Sequence, residues 1–77
     1  MVLSTSDVVT VIKQAGTQID LTRLDENAIL SEIGADSLDM MNILLGVQEL
    51  TGQEIRDEDV HELRSVKAIC DYVNGMA

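Results

Sequence analysis

Four consecutive residues, Asp36-Ser37-Leu38-Asp39, hold the densest chemistry in this sequence. They set one hydroxyl between two carboxylates. The pattern also starts a helix: Asp36 can cap it, and Asp39, three residues on, supplies an acid close to the orphan backbone N–H groups. An anion attached to a hydroxyl at such a place would meet free N–H groups and the positive end of the helix dipole. Other reactive residue types occur singly. One cysteine, Cys70, excludes an intramolecular disulfide, and with one histidine, His61, it cannot build a Cys/His zinc site. No Ser–His–Asp or Cys–His set has local support. Cys70, on the apolar face of the last helix, reads as a small core residue. His61, in an acidic segment, reads as a surface side chain. Asp57-Glu58-Asp59 lacks the Asp-x-Asp-x-Asp-Gly spacing of a calcium loop.

These residues need a scaffold, and the chain has 77 residues to build it. That is one domain, residues 1–77, burying only about 60% of its unfolded surface. Ser4 to Ala15 predicts a first helix, with Asp7 in its first turn, a core stripe of Val8, Val11, Ile12 and Ala15, and Gly16 ending it. Residues 17–35 predict a long connection whose scattered apolar residues (Ile19, Leu21, Leu24, Ile29, Leu30, Ile33) should pack over the core. Asp36 to Leu50 predicts the second helix, closed by Thr51-Gly52. Asp57 to Leu63 predicts a short third helix. Ser65 should cap a last one carrying Val66, Ile69, Cys70 and Val73 on one face, with Gly75 just past its end. The fold class that follows is all-α: a small four-helix bundle of three longer helices and one short helix.

A helical wheel of the second helix separates two apolar stripes. With Ser37 at the origin and about 100° per residue, Met40, Ile43, Leu44, Val47 and Leu50 share one side, the expected core stripe. Leu38, Met41 and Leu45 form a second stripe beside Ser37. A surface helix needs only one. The second is either covered by the 17–35 connection or exposed as a docking patch for another protein.

Charge narrows the partners. The chain carries 14 acids against 5 bases, a net charge of −9. Residues 31–62 hold nine of the acids (Glu32, Asp36, Asp39, Glu49, Glu54, Asp57, Glu58, Asp59, Glu62) and one base, Arg56. Nucleic acid and anionic membrane surfaces repel such a chain. Tyr72 as the only aromatic leaves no base-stacking platform. The acidic run is either a solvated face that keeps the chain soluble or a recognition surface for proteins with basic patches. With no apolar run of about 20 residues, no membrane insertion is expected. No signal peptide and no disulfide point to the cytoplasm.

Ile33-Gly34-Ala35-Asp36-Ser37-Leu38-Asp39 resembles the acyl carrier protein motif Leu-Gly-(Ala/Gly)-Asp-Ser-Leu-Asp. Glu54-Ile55-Arg56-Asp57-Glu58-Asp59 is similar to the family's Glu-Ile-Pro-Asp-Glu-Asp segment, and residues 65–73 to its final helix. The resemblance runs from about residue 4 to the end. It implies a carrier that holds acyl intermediates as thioesters on a 4′-phosphopantetheine arm. The arm is attached to Ser37, with Asp36 and Leu38 at its base. It also implies a separate phosphopantetheinyl transferase, which takes the arm from coenzyme A and itself binds the magnesium. Acyl-loading and acyl-processing enzymes would dock on Leu38, Met41 and Leu45, with Asp36, Asp39 and Glu49 meeting their basic side chains. Ile43, Leu44 and Val47 would shelter short acyl chains. The setting implied is fatty acid, polyketide or related lipid biosynthesis, by a monomer. A start Met and a complete four-helix pattern fit a free-standing protein.

Departures from the family pattern suggest a specialised member. Asn42 and Gln48 stand where fatty-acid members usually carry Glu, Thr51 where Phe is usual, Arg56 where Pro is usual. Gly46 stands in place of Ala, at a cost to the helix of about 0.8–1 kcal/mol, and should loosen its middle. Two other readings remain open on the sequence: a peptidyl, aryl or D-alanyl carrier of the same fold, and an acidic helical interaction module with no prosthetic group.

Overall fold

The structure, a computed structural model, describes residues 2–75. Three α-helices carry it: α1 (Thr5–Gln14), α2 (Ser37–Thr51) and α3 (Val66–Gly75). A six-residue 3-10 helix, Asp57–Glu62, stands between α2 and α3 as the fourth member, and no strand occurs among the described residues. The all-α four-helix expectation holds.

α1 begins where its cap chemistry dictates. Ser4 is extended, its Oγ accepts from the Asp7 N–H at 3.2 Å, and the Asp7 carboxylate accepts from the Ser4 N–H at 3.0 Å. Such reciprocal caps contribute about 1 kcal/mol. Val8, Val11 and Ile12 are buried; Ala15, at the cap, is half-buried. α1 packs on both α2 and α3. α3 starts at Ser65, whose Oγ accepts from the Ala68 N–H at 3.1 Å, and buries Val66, Ile69, Cys70 and Val73. It runs one residue further than expected, through Gly75. Asn74 near its end brackets the backbone of Leu3: its Oδ1 accepts from the Leu3 N–H (2.8 Å) and its Nδ2 donates to the Leu3 carbonyl (3.1 Å).

The core is entirely aliphatic apart from Cys70, each fully buried Leu, Ile or Val contributing about 1.5–3 kcal/mol. α2 supplies Ile43, Leu44 and Val47 to it, with Met40 packed against the edge. Leu50, expected on the same stripe, is instead 44% exposed. Its angle on the wheel is right, but the core has ended by the last turn of α2, and the side chain borders an open groove against α1. Gly46 also differs from expectation. A Cβ there would lie 2.6 Å from Val11 Cγ1, so the glycine lets α1 and α2 approach closely rather than merely loosening the helix.

Candidate functional site

The approach to α2 is fixed before the helix begins. Residues 17–35 contain two short 3-10 turns, Leu21–Arg23 and Leu30–Ile33, that the sequence pattern does not reveal. Ile19, Leu30 and Ile33 are buried as expected, Leu24 and Ile29 are half-buried, and Leu21 is exposed. Backbone bonds pin the segment to its surroundings: Asp20 N–H to the Ile33 carbonyl (2.8 Å), Leu30 N–H to that of Arg64 (2.9 Å), and Lys67 N–H to that of Glu26 (2.9 Å). Gly34 closes it with φ 118°, and a Cβ there would sit 2.7 Å from the Gln18 carbonyl oxygen. Only glycine accommodates both the angle and the contact. Ala35 is buried, and the chain then turns outward into α2.

Asp36 is the extended N-cap. Its Oδ1 accepts from the Asp39 N–H at 2.8 Å, and Asp39 Oδ2 accepts from the Asp36 N–H at 3.2 Å. The two acids thereby satisfy two of the orphan donors of the first turn. The amides of Ser37 and Leu38 have no protein acceptor among the described residues, nor does any hydrogen bond engage the Ser37 hydroxyl there. Ser37 is the first helical residue and is exposed. An anionic ester on that oxygen fits the local chemistry. The hydroxyl faces solvent, two N–H groups beside it are uncommitted, and the helix dipole favours negative charge.

The second stripe of α2 is not covered by the 17–35 connection. Leu38 is 63% exposed, Met41 59% and Leu45 51%. They form an aliphatic ridge running from Ser37 along the helix. Asp36 and Glu49 are exposed and Asp39 is half-exposed, and the acids of the 3-10 helix continue the negative surface. Arg56, the single base of this region, pairs with Glu58.

The ridge divides two concavities, and Leu45 touches both. On one side an open groove of about 780 Å³ lies between α1 and α2, bordered by Asp7, Val11, Gln14, Asn42, Gly46 and Glu49 among others. On the other a small cavity of about 110 Å³ lies between α2 and the 3-10 helix, walled by Met41, Leu44, Leu45, Gln48, Ile55, Asp57 and Val60. Of the three residues expected to shelter an acyl chain, Leu44 borders this cavity. Ile43 and Val47 lie behind it with no exposed surface. Gln48, Ile55 and Val60 also wall the cavity, and the sequence pattern of α2 does not mark them. The Ile55–Val60 pair is apolar within an acidic run, which is the signal that could have found it.

Two groups outside the site have displaced ionisation. Burial pushes the Cys70 thiol upward, so it is a poor thiolate at neutral pH and an inert core residue. Tyr72 donates to Asp59 Oδ2 at 2.6 Å, and that bond, helped by burial, holds the phenol above its usual range. His61 is exposed. Among the described residues no three His, Cys, Asp or Glu side chains gather as a metal site, and no helix is long and apolar enough to cross a membrane.

A free hydroxyl at a helix start, on an acidic all-helical domain of this size, is the architecture of a phosphopantetheine-bearing domain. The family model described as the phosphopantetheine attachment site matches residues 7–73. The chain is similar to the acyl carrier protein of Campylobacter hominis, at 30% identity over 66 residues, which is 86% of this chain and 82% of that protein. It is similar also to the acyl carrier protein of Syntrophobacter fumaroxidans, at 33% identity over 63 residues, covering 82% and 76% of the two chains. The chain belongs to the acyl carrier protein family. The prosthetic group of that family is a covalently attached 4′-phosphopantetheine.

Proposed function

We propose that Ser37 Oγ is the attachment point and that the chain is a non-catalytic carrier of acyl groups for lipid or polyketide assembly. The arm, when attached, supplies a terminal thiol that holds an acyl group as a thioester. Everything else falls to the chain's own residues. The observation that carries this reading is the exposed Ser37 hydroxyl at the mouth of α2, beside the Leu38–Met41–Leu45 ridge.

The energetics favour a tethered group over a clamped one. The helix N-terminus contributes about 0.3–1 kcal/mol to a nearby anion. Repulsion from a neighbouring carboxylate in water is of similar size, about 1 kcal/mol at close range. With Asp36 and Asp39 both at hand, neither effect dominates, and an ester on Ser37 is left free to swing. As the Ser37 Oγ–phosphorus bond forms, the pyrophosphate bond of coenzyme A breaks, adenosine 3′,5′-bisphosphate leaves, and the hydroxyl proton passes to the modifying enzyme. The ridge gives that transferase, and later the acyl-loading and acyl-processing enzymes, an apolar surface to bury. Asp36, Asp39 and Glu49 steer their basic patches onto it. A monomer in the cytoplasm suits this role. The less acidic α2, with Asn42 and Gln48, supports a partner set distinct from that of general fatty-acid synthesis.

Mass spectrometry after incubation with coenzyme A and a promiscuous transferase tests the assignment. One phosphopantetheine adduct is expected on the wild type and none on Ser37→Ala. An unmodified wild type would leave an acidic interaction module as the better reading, and an adduct persisting in Ser37→Ala would move the site.

A further inference from the structure

The sequence holds three asparagines, and only Asn74 is followed by glycine; Ala28 and Ile43 follow the other two. A side-chain amide can be attacked by the backbone nitrogen of the next residue. A following glycine leaves that approach unhindered and the backbone free to take the angles it needs. Asn74 is also the residue that brackets Leu3, accepting from its N–H at 2.8 Å and donating to its carbonyl at 3.1 Å. Among the described residues these are the only hydrogen bonds between the segment ahead of α1 and α3. Leu3 is a core side chain, 2% exposed.

Two features hold the reaction off in the folded domain. Leu3 engages both polar atoms of the Asn74 side chain. Asn74 and Gly75 also belong to α3, where a side chain leans back toward the start of the helix, away from the nitrogen that follows. Both lapse when the last turn opens, and helix ends open at a fraction of the free energy of global unfolding.

We propose that Asn74-Gly75 is a self-modifying site that releases Leu3 permanently: when the last turn of α3 opens, the Asn74 amide deamidates, and the acid formed cannot rebuild the bracket. The Gly75 nitrogen bonds to Asn74 Cγ, the Cγ–Nδ2 bond breaks, and ammonia leaves. The Gly75 amide proton passes to solvent, and the leaving nitrogen takes one up. Water then opens the cyclic imide, leaving aspartate or isoaspartate in place of the amide. The carboxylate still accepts from an N–H but has no proton for the Leu3 carbonyl, which loses its donor. The new charge also stands at the negative end of α3, where the last turn has no base to offset it.

The test ages the full chain at mildly alkaline pH, native and in denaturing guanidinium chloride. Conversion is read by intact mass, peptide mapping and enzymatic isoaspartate methylation. Asn74 should be the main site in both, with the native rate about ten- to a thousandfold lower, the span of local rather than global opening. In purified deamidated protein the Leu3 amide should exchange at least about tenfold faster by NMR than in fresh protein, and Asn74→Asp should reproduce this. Gly75→Ala adds a Cβ that meets nothing within 4 Å, so it keeps the bracket and hinders the attack: Leu3 should stay protected and Asn74 should stay an amide. Equal native and unfolded rates overturn the proposal, as does a native rate low enough to track global unfolding. So do conversion mainly at Asn27 or Asn42, and an unchanged Leu3 amide in the deamidated protein.

Discussion

α3 commits its apolar residues to one face, and Val66, Ile69, Cys70 and Val73 are all buried. α2 is half as long again, yet buries only Ile43, Leu44 and Val47 and leaves Leu38, Met41 and Leu45 in water. Both helices are capped by side chains and both belong to one aliphatic core. The contrast therefore does not come from helix formation. α3 is apolar where packing requires it. α2 is apolar in a second direction, and that surplus begins beside the exposed Ser37. That exposed stripe is the surface on which the proposed docking of partner proteins rests.

Substitutions on the two helices can break this contrast. The largest effect is expected from Ile69→Ala, which removes a side chain with no exposed surface on α3. It should cost about 2–5 kcal/mol in urea unfolding, a large share of what such a domain has. Gly46→Ala probes the side of α2 that meets α1. Helix propensity favours alanine by about 0.8–1 kcal/mol. The new methyl group would press on Val11 Cγ1, and overpacking costs about 1–3 kcal/mol. The clash should win, giving a net loss of about 1 kcal/mol, and a Val11→Ala background should reverse the sign. Leu45→Ala is the smallest. Unfolding free energy should move by no more than about 0.5 kcal/mol, while modification by the transferase slows. A loss as large as that of Ile69→Ala would mean the ridge is structural and the contrast between the helices is false.

The sequence is most legible where chemistry is local. The Asp36–Asp39 box and the Ser65 cap depend on residues three apart, and each forms as read; at α1 the sequence offers Ser4, Thr5 and Ser6 as caps, and Ser4 takes the place, boxed with Asp7. The apolar faces of α1 and α3 follow from period alone. What stays hidden depends on distant partners. Whether Leu38, Met41 and Leu45 are covered turns on the path of residues 17–35, and that path is set by bonds to Arg64 and Lys67. Leu50 has the right period but lies beyond the edge of the core, and periodicity carries no information about where a neighbouring helix stops. Gly46 looks like a local weakness because the residue it makes room for, Val11, is far away in the chain. The bond from the Ile55 N–H to Gln48 Oε1, at 2.7 Å, has no periodic signature at all.

Tyr72 has one more consequence. It is the sole aromatic side chain, and its phenol bridges α3 to the 3-10 helix that carries Val60. The near-ultraviolet spectrum of this molecule is therefore the spectrum of a single contact. Whenever the 3-10 helix lifts away, the alkaline titration of that one chromophore should slide back toward the value of free tyrosine, near pH 10. The domain thus carries its own optical gauge of breathing beside the small cavity, with no label added and no background to subtract.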